Sequence, residues 1–166
     1  MDMHTTSETT DPKKELLAAL GRIPSGLFIV TLRHGKQETA MLASWVQQCS
    51  FEPLLVSIAV NAKRWFVDWL VAGTAVGISI LGEGQKDLLS HFGKGFEPNQ
   101  SAFEGVEVER HDGVPVLTTA HAHLQCRVTA TQPAGDHLIV IAQVESGKVH
   151  HDGRPGVHVR RSGSHY

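Results

Sequence analysis

The feature that most restricts this chain is a succession of short β-type apolar runs, each cut off by a turn signal. Residues 26–32 (GLFIVTL), 54–60 (LLVSIAV) and 75–81 (AVGISIL) are rich in Val, Ile, Leu and Phe, and they stop before a core-facing helix could form. His34-Gly35-Lys36 makes a plausible hairpin turn from the first run into a second strand that ends near Trp45. The 54–60 run is almost continuously apolar, as in a strand covered on both faces. Residues 121–131 and 136–149 are two long runs joined by Gln132-Pro133-Ala134-Gly135, a good hairpin signal, and 114–117 is a short extended piece.

Helices are the minor component. Asp11 offers an N-cap with Pro12 at the first helical position, Leu16, Leu17 and Leu20 form an apolar stripe, and Gly21 closes the turn. Residues 63–71 read as a helix carrying Trp65, Phe66, Trp69 and Leu70, with Gly73 just beyond its end. Residues 85–92 read as a second, closed by Gly93, and 93–104 as a loop. Six or seven short strands, two or three inserted helices and mostly hairpin connections predict a mainly β, largely antiparallel sheet, closed or nearly closed. Residues 1–10 read as a loose polar tail and 11–166 as one domain, long enough to bury a core.

Charge and cysteine content then narrow the function. Fifteen Lys+Arg against 17 Asp+Glu leave a formal charge of −2, so the basic surplus of a nucleic-acid or membrane-surface protein is missing. The two cysteines, Cys49 and Cys126, supply neither a disulfide framework nor a four-ligand zinc site. Both sit in strand-like runs, where a thiol is expected to pack as a small hydrophobe, reduced in a cytoplasm. No stretch approaches the roughly 20 apolar residues of a membrane helix. The tail has no apolar segment of the kind a secretory signal needs.

Familiar chemical signatures are absent or incomplete. Gly82-Glu83-Gly84 lacks the third glycine of a dinucleotide fingerprint, and no phosphate-loop pattern occurs. His121-Ala122-His123 would put two imidazoles on one strand face, and His150-His151 adds two more. Without Cys or carboxylate partners nearby in the sequence, a metal site is the weaker reading. Ser44 and Ser50 lack a nucleophile elbow.

Two segments are more informative. In TAMLASWVQQCSFEP, residues 39–53, Ala40, Ala43 and Ser44 interrupt a strand, while Trp45 and Phe51 bracket a polar stretch. Small side chains let backbone N–H and C=O groups approach the heteroatoms of a flat aromatic ligand. An ordinary kinked strand with a bulge would show the same composition. The second segment, Asn61-Ala62-Lys63-Arg64, leads from a strand into the expected 63–71 helix. There Asn61 could cap free N–H groups beside two cations, a setting for a phosphate monoester or simply a solvated cationic turn.

The pieces ALGRIPSGLFIVT, MLASWVQQCSFEP, the Lys63-Arg64 turn, HFGKGF, AGDHLIVIAQVESGKV and RRSGSHY resemble the flavin reductase-like, FMN-binding family. In particular they resemble the flavin reductase module of diflavin flavodiiron proteins. The resemblance runs from about Leu16 to Tyr166 with the segments in the same order. It implies a split β-barrel with Greek-key character, homodimeric, with FMN in a cleft beside the subunit interface. By it, Met41, Leu42, Ala43, Ser44 and Trp45 line the isoalloxazine and ribityl chain. Cys49, Ser50 and Phe51 approach the ring, and the turn of Ala62, Lys63 and Arg64, which Asn61 leads into, handles the phosphate. It also places His137 of Gly135-Asp136-His137 beside the flavin and the incoming nicotinamide, as the catalytic residue.

The implied activity is NADH- or NADPH-dependent flavin reduction, supplying reduced flavin or electrons to a partner such as an oxygenase or a flavodiiron protein. The alternative is an FMN-binding electron-transfer module with no nicotinamide site. The chain departs from the family pattern in three places. It has Phe51-Glu52-Pro53-Leu54 where relatives read Phe-x-Pro-Pro, Ala62-Lys63-Arg64 where they read lysine, acid, arginine, and Leu138-Ile139 where they commonly place aromatics.

Overall fold

The structure, a computed structural model, describes residues 11–166, so the tail read at 1–10 lies outside the described residues. In chain order the elements are α1 (Pro12–Leu20), β1 (Ser25–Gly26), β2 (Phe28–His34), β3 (Gln37–Ala43), β4 (Val46–Phe51), β5 (Leu54–Asn61), β6 (Ala75–Ile80), α2 (Lys86–Gly93), β7 (Val108–His111), β8 (Val114–Leu117), β9 (Ala122–Ala134), β10 (His137–Val149) and β11 (Val157–His158). They fall into two compact units. One comprises the described residues up to Ser25 together with His158–Tyr166, and the other is Gly26–Val157.

The smaller unit starts as its sequence dictates. The Asp11 carboxylate accepts from the Lys13 N–H at 3.0 Å, and Pro12 occupies the first helical turn. The C-terminal segment packs on the end of α1, with Gly163 N–H donating to Leu17 O at 2.6 Å and Arg160 Nη2 to Leu20 O at 3.4 Å. Of the apolar stripe on α1, Leu16 and Leu20 stay exposed.

The larger unit is built on a seven-stranded sheet of order β3-β2-β6-β9-β10-β5-β4, and every neighbouring pair is antiparallel. Three hairpins, β2–β3, β4–β5 and β9–β10, are interleaved so that β2 lies beside β6 and β5 beside β10. β7 and β8 form a separate hairpin. The mainly β, antiparallel expectation therefore holds, while the strand pairing among the described residues does not show a closed barrel. β3 and β4 are the two edges of the sheet, joined by only Ser44 and Trp45, and they do not pair with each other.

Side chains alternate between two cores, as strand geometry requires. Val30, Leu32, Met41, Ala43, Val56, Ile58, Val60, Val76, Ile78, Val140 and Ala142 meet on the inner face with Phe66 and Leu70. On the outer face Ile29 and Ala40 pack with Leu81, Phe92 of α2, Ala102 and Leu117. β8 crosses close over β6 at Gly77, where a Cβ would stand 2.7 Å from Pro115 O. Thr31 Oγ1 donates to the same carbonyl, so the crossing has no room for a side chain.

Four local expectations are corrected. Residues 63–71 are not an α-helix but successive tight turns ending in a 3-10 turn at Val67–Trp69. Trp65 Nε1 donates to Phe96 O, Thr74 Oγ1 to Trp69 O, and Phe66 and Leu70 are sunk in the inner core, so tertiary anchors override helical periodicity. The β9–β10 turn is tighter than expected. β9 runs to Ala134 and only Gly135, at φ 60°, and Asp136 make the turn, because Pro133 is tolerated where β9 has passed the end of β6. β5 is buried on one face only, with Leu55, Ser57 and Ala59 half-exposed on the other. Finally, Cys126 is buried and its thiol pKa is pushed up to about 12, by burial first and then by Glu145, whereas Cys49 on the edge strand β4 is exposed.

The histidines gather at the far end of β9. His123 is only 4% exposed, its Nδ1 lies 2.7 Å from His150 Nε2, and the His111 ring centroid is 5.5 Å away. Among the described residues no three His, Cys, Asp or Glu side chains are placed to hold a metal ion. Burial, then the neighbouring His150, His111 and Lys148, lowers the His123 pKa against an opposing pull from Glu109. His150 is lowered by burial, Lys148 and His151. A histidine whose folded pKa is depressed stabilises the fold fully above its unfolded pKa, about 6.5, and that stability drains away as pH falls below it. The thermal midpoint, followed by circular dichroism, is expected to drop between about pH 7 and pH 5. His123→Phe should flatten that slope.

Candidate functional site

Where the two edges of the sheet are connected, backbone and side chains leave an unmatched polar group. The β3–β4 corner is Ser44-Trp45, so the small residues do interrupt a strand there. Ser44 is 7% exposed, and its Oγ has no hydrogen-bond partner among the described residues. A buried hydroxyl without a partner costs about 1–3 kcal/mol, and such a group points to a ligand or ordered solvent. Trp45 O accepts from Ala59 N–H at 3.0 Å, which fixes the corner against β5.

The end of β5 and the start of β10 supply the rest. In their ladder His137 stands opposite Asn61. Asn61 Oδ1 accepts from Lys63 N–H at 2.9 Å and Asn61 O from Arg64 N–H at 3.0 Å, while Ala62 N–H donates to Asp136 O at 3.0 Å. Asn61 thus shapes a turn, not a helix N-terminus, and the two turns are tied together by a backbone bond. His137 Nδ1–H donates to Asp136 Oδ1 at 2.7 Å, and the His137 ring lies 5.1 Å from Trp45, tilted by 45°. That hydrogen bond, then the charge of His137, then Lys63 hold the Asp136 carboxyl below its usual range, so it is ionised at neutral pH.

Trp45, Asn61, Ala62 and His137 are therefore neighbours, with Ser44 preceding Trp45 and Lys63 and Arg64 following Ala62. The remaining residues are placed differently. Met41 and Ala43 point into the inner core, and Leu42, partly buried, packs on the outer one. Cys49 occupies a bulge between Gln48 and Ser50, and Phe51 is 86% exposed at the tip of the β4–β5 hairpin. Ser50 pairs with Leu55, six residues along β5 from Asn61 or roughly 20 Å, so one chain does not bring these residues to the turn.

Lys63, Arg64 and Trp65 also form one wall of a cleft of about 1060 Å³. Its other wall is the end of α2 and the following loop, with His91, Lys94 and Phe96 among the lining residues. Trp65 Nε1 donates to Phe96 O and His91 Nε2 to Ala102 O, each at 2.9 Å, so the second wall is anchored. Sequence reasoning gave these residues no role. Their only signal is HFGKGF, whose lysine follows a helix and carries no spacing relation to Lys63 and Arg64.

A family model described as flavin reductase like domain matches residues 20–164. The putative diflavin flavoprotein A 6 of Nostoc sp. is 42% identical over 158 residues, which are 93% of this chain and 28% of that protein. The chain thus spans little more than a quarter of the relatives it matches. Among solved structures, Streptomyces globisporus C-1027 NADH:FAD oxidoreductase SgcE6 superposes with a TM-score of 0.80 at 26% identity, covering 92% of this chain and 93% of that one. The same oxidoreductase in complex with NAD and FAD fragments superposes with a TM-score of 0.73 at 28% identity, covering 86% and 87% of the two chains. A match over almost the whole of the described sequence, with the fold to go with it, makes this chain a member of the flavin reductase like domain family.

Proposed function

We propose that the chain, as one flavin-binding domain over residues 11–166, is an NAD(P)H-dependent flavin reductase that holds FMN at the Ser44-Trp45 corner and the Asn61–Arg64 turn. The observation that carries this reading is the buried, unpartnered Ser44 Oγ beside a cationic turn tied to His137. These groups fit the ligand. Ser44 would donate to or accept from the ring system, backbone amides near Ala43 to Trp45 would face its developing negative charge, and Lys63 and Arg64 would meet the phosphate. Bound flavin supplies hydride acceptance at N5 from the nicotinamide C4. His137, its tautomer set by Asp136, orients the nicotinamide side of the cleft through a hydrogen bond. The fold neighbour solved with NAD and FAD fragments supports both ligand classes.

The same reading places the protein in a reducing cytoplasm, delivering reduced flavin or electrons to an oxygenase or a flavodiiron protein. It also makes the protein a homodimer. Phe51 and Leu54 on the β4–β5 hairpin are exposed, Leu55 is half-exposed, and Leu54 and Leu55 line an apolar groove of about 400 Å³ with Val46 and Phe28. A second copy on this face would complete the split barrel. It would also offer Cys49, Ser50 and Phe51 to a flavin that their own chain cannot give them to.

Three measurements test the reading. FMN should bind more tightly than riboflavin by fluorescence quenching, and Lys63→Ala with Arg64→Ala should remove most of that preference, since each charge-assisted hydrogen bond is worth about 1.5–3 kcal/mol. Equal affinity of the wild type for both flavins would sink the phosphate assignment. Anaerobic NADH or NADPH should bleach the bound flavin within seconds, and His137→Ala should slow this about 10–100-fold while FMN affinity changes little. No bleaching with either nucleotide would favour the electron-transfer module. Light scattering should give about twice the 18.1 kDa chain mass, and a monomer that binds FMN tightly would refute the dimer.

A further inference from the structure

Beyond β10 the chain runs as an exposed strap. Residues 151–155 are all exposed, and none of them enters either core. Backbone bonds hold the strap at its two ends. His150 and His151 N–H donate to His121 O at 2.9 and 3.3 Å, and further on Glu83 N–H donates to Arg154 O and Gly156 N–H to Leu81 O, each at 2.8 Å. His150 adds a side-chain tether, for its Nε2 lies 2.7 Å from Nδ1 of His123, which is 4% exposed. A segment with few buried contacts opens locally at low cost, so this tether weighs heavily on whether the strap stays down.

The tether has a definite proton requirement. Two imidazole nitrogens at this distance share one proton, with one ring donating and the other accepting. A first extra proton on the pair leaves that bond in place. A second makes both rings imidazolium, so two N–H donors and two like charges face each other. The surroundings add to the repulsion. Lys148 stands opposite His123 in the β9–β10 ladder, the His111 ring of β7 is 5.5 Å from His123, and the His151 ring is 6.2 Å from His150. From β6 the neutral Ser79 stands opposite His123, and the opposing charge comes from Glu109 of β7, whose carboxylate is 3.5 Å from His111 Nε2.

We propose that the His123–His150 pair is an acid-sensitive latch for residues 150–156, closed at neutral pH and released when both imidazoles carry a proton. Burial first, and then the neighbouring basic groups, keeps both rings below the ordinary histidine range while the strap is closed, and release removes that restraint. The latch lies at the opposite end of β10 from His137, so it stands apart from the flavin reading.

The test is amide exchange of the full chain, followed by NMR at about pH 7.5 and pH 5.0, with a chelator present and rates corrected for their intrinsic pH dependence. In the wild type the N–H groups of Glu83, His150, His151 and Gly156 should lose protection about tenfold or more at the lower pH, because a released strap lets both rings take up protons near pH 6.5. The amides of the β5–β10 ladder should keep theirs. In His150→Gln, whose side-chain amide can donate or accept at either pH, protection of the strap should change by less than about twofold. Unchanged protection of the strap in the wild type would overturn the proposal. So would an equal loss across the ladder, which marks unfolding of the whole sheet, or a full acid response in His150→Gln. Should that variant not fold, the ring nitrogen signals of the wild type decide: a strap that opens while one of the two rings is still neutral overturns the latch, and opening that coincides with the second protonation supports it.

Discussion

Most of the candidate site hangs on the antiparallel ladder between β5 and β10, which pairs Leu55 with Gln143 at one end and Asn61 with His137 at the other. Because the side-chain period of a strand is two, this register decides both faces together. Val56, Ile58 and Val60 enter the inner core only while His137 stands opposite Asn61. Slipping the pairing by one residue would expose that row and separate Ala62 N–H from Asp136 O. Core packing and site geometry are thus the same constraint, and the apolar residues of β5 hold the polar turn in place.

The cleft is anchored in a different way. Its walls are a turn and a loop, neither of which has a ladder, and they rely on side chains that reach from buried aromatic groups to backbone carbonyls. Trp65 packs edge-on against Phe66 and Trp69 before donating to Phe96 O, and His91 packs against Phe92 and Phe96 before bonding Ala102 O. Each bond contributes roughly 1 kcal/mol net, but leaving either carbonyl unpaired would cost more than that. Rigid walls let the exposed cations between them keep a defined spacing, which flexible lysines on an open surface would lose.

Those two kinds of anchoring explain what could be read from the residues. Strand periodicity is local, so β2, β5, β6 and the β9–β10 hairpin were legible from apolar runs and turn residues, and Asp11 with Pro12 marked the start of α1. The Ser44-Trp45 break and the cationic turn were legible for the same reason, since small and charged residues stand out in an apolar setting. Residues 63–71 misled because Trp65, Phe66, Trp69 and Leu70 have helical spacing, yet their rings are claimed by the inner core and by loop carbonyls. The strand-like run around Cys49 predicts burial because a central and an edge strand look alike in sequence. The difference lies in which strand pairs with which, and β4 has β5 on one side only. The second wall of the cleft, with His91, Lys94 and Phe96, leaves no mark in the sequence because tertiary structure alone brings it opposite Lys63 and Arg64.

The order of strands in the sheet also governs how the chain assembles. β3 and β4 follow one another directly, yet they end at opposite edges, and what joins the two halves of the sheet is the β9–β10 hairpin between β6 and β5. Before residues 122–149 are available, β3-β2-β6 and β5-β4 have no hydrogen-bonded connection. During synthesis the part of the larger unit that precedes β9 therefore waits with unsatisfied edges on β6 and β5, and the last long hairpin to emerge is the one that closes the gap. Asn61 and His137 meet only at that moment, so the candidate site is completed in the same step that unites the sheet.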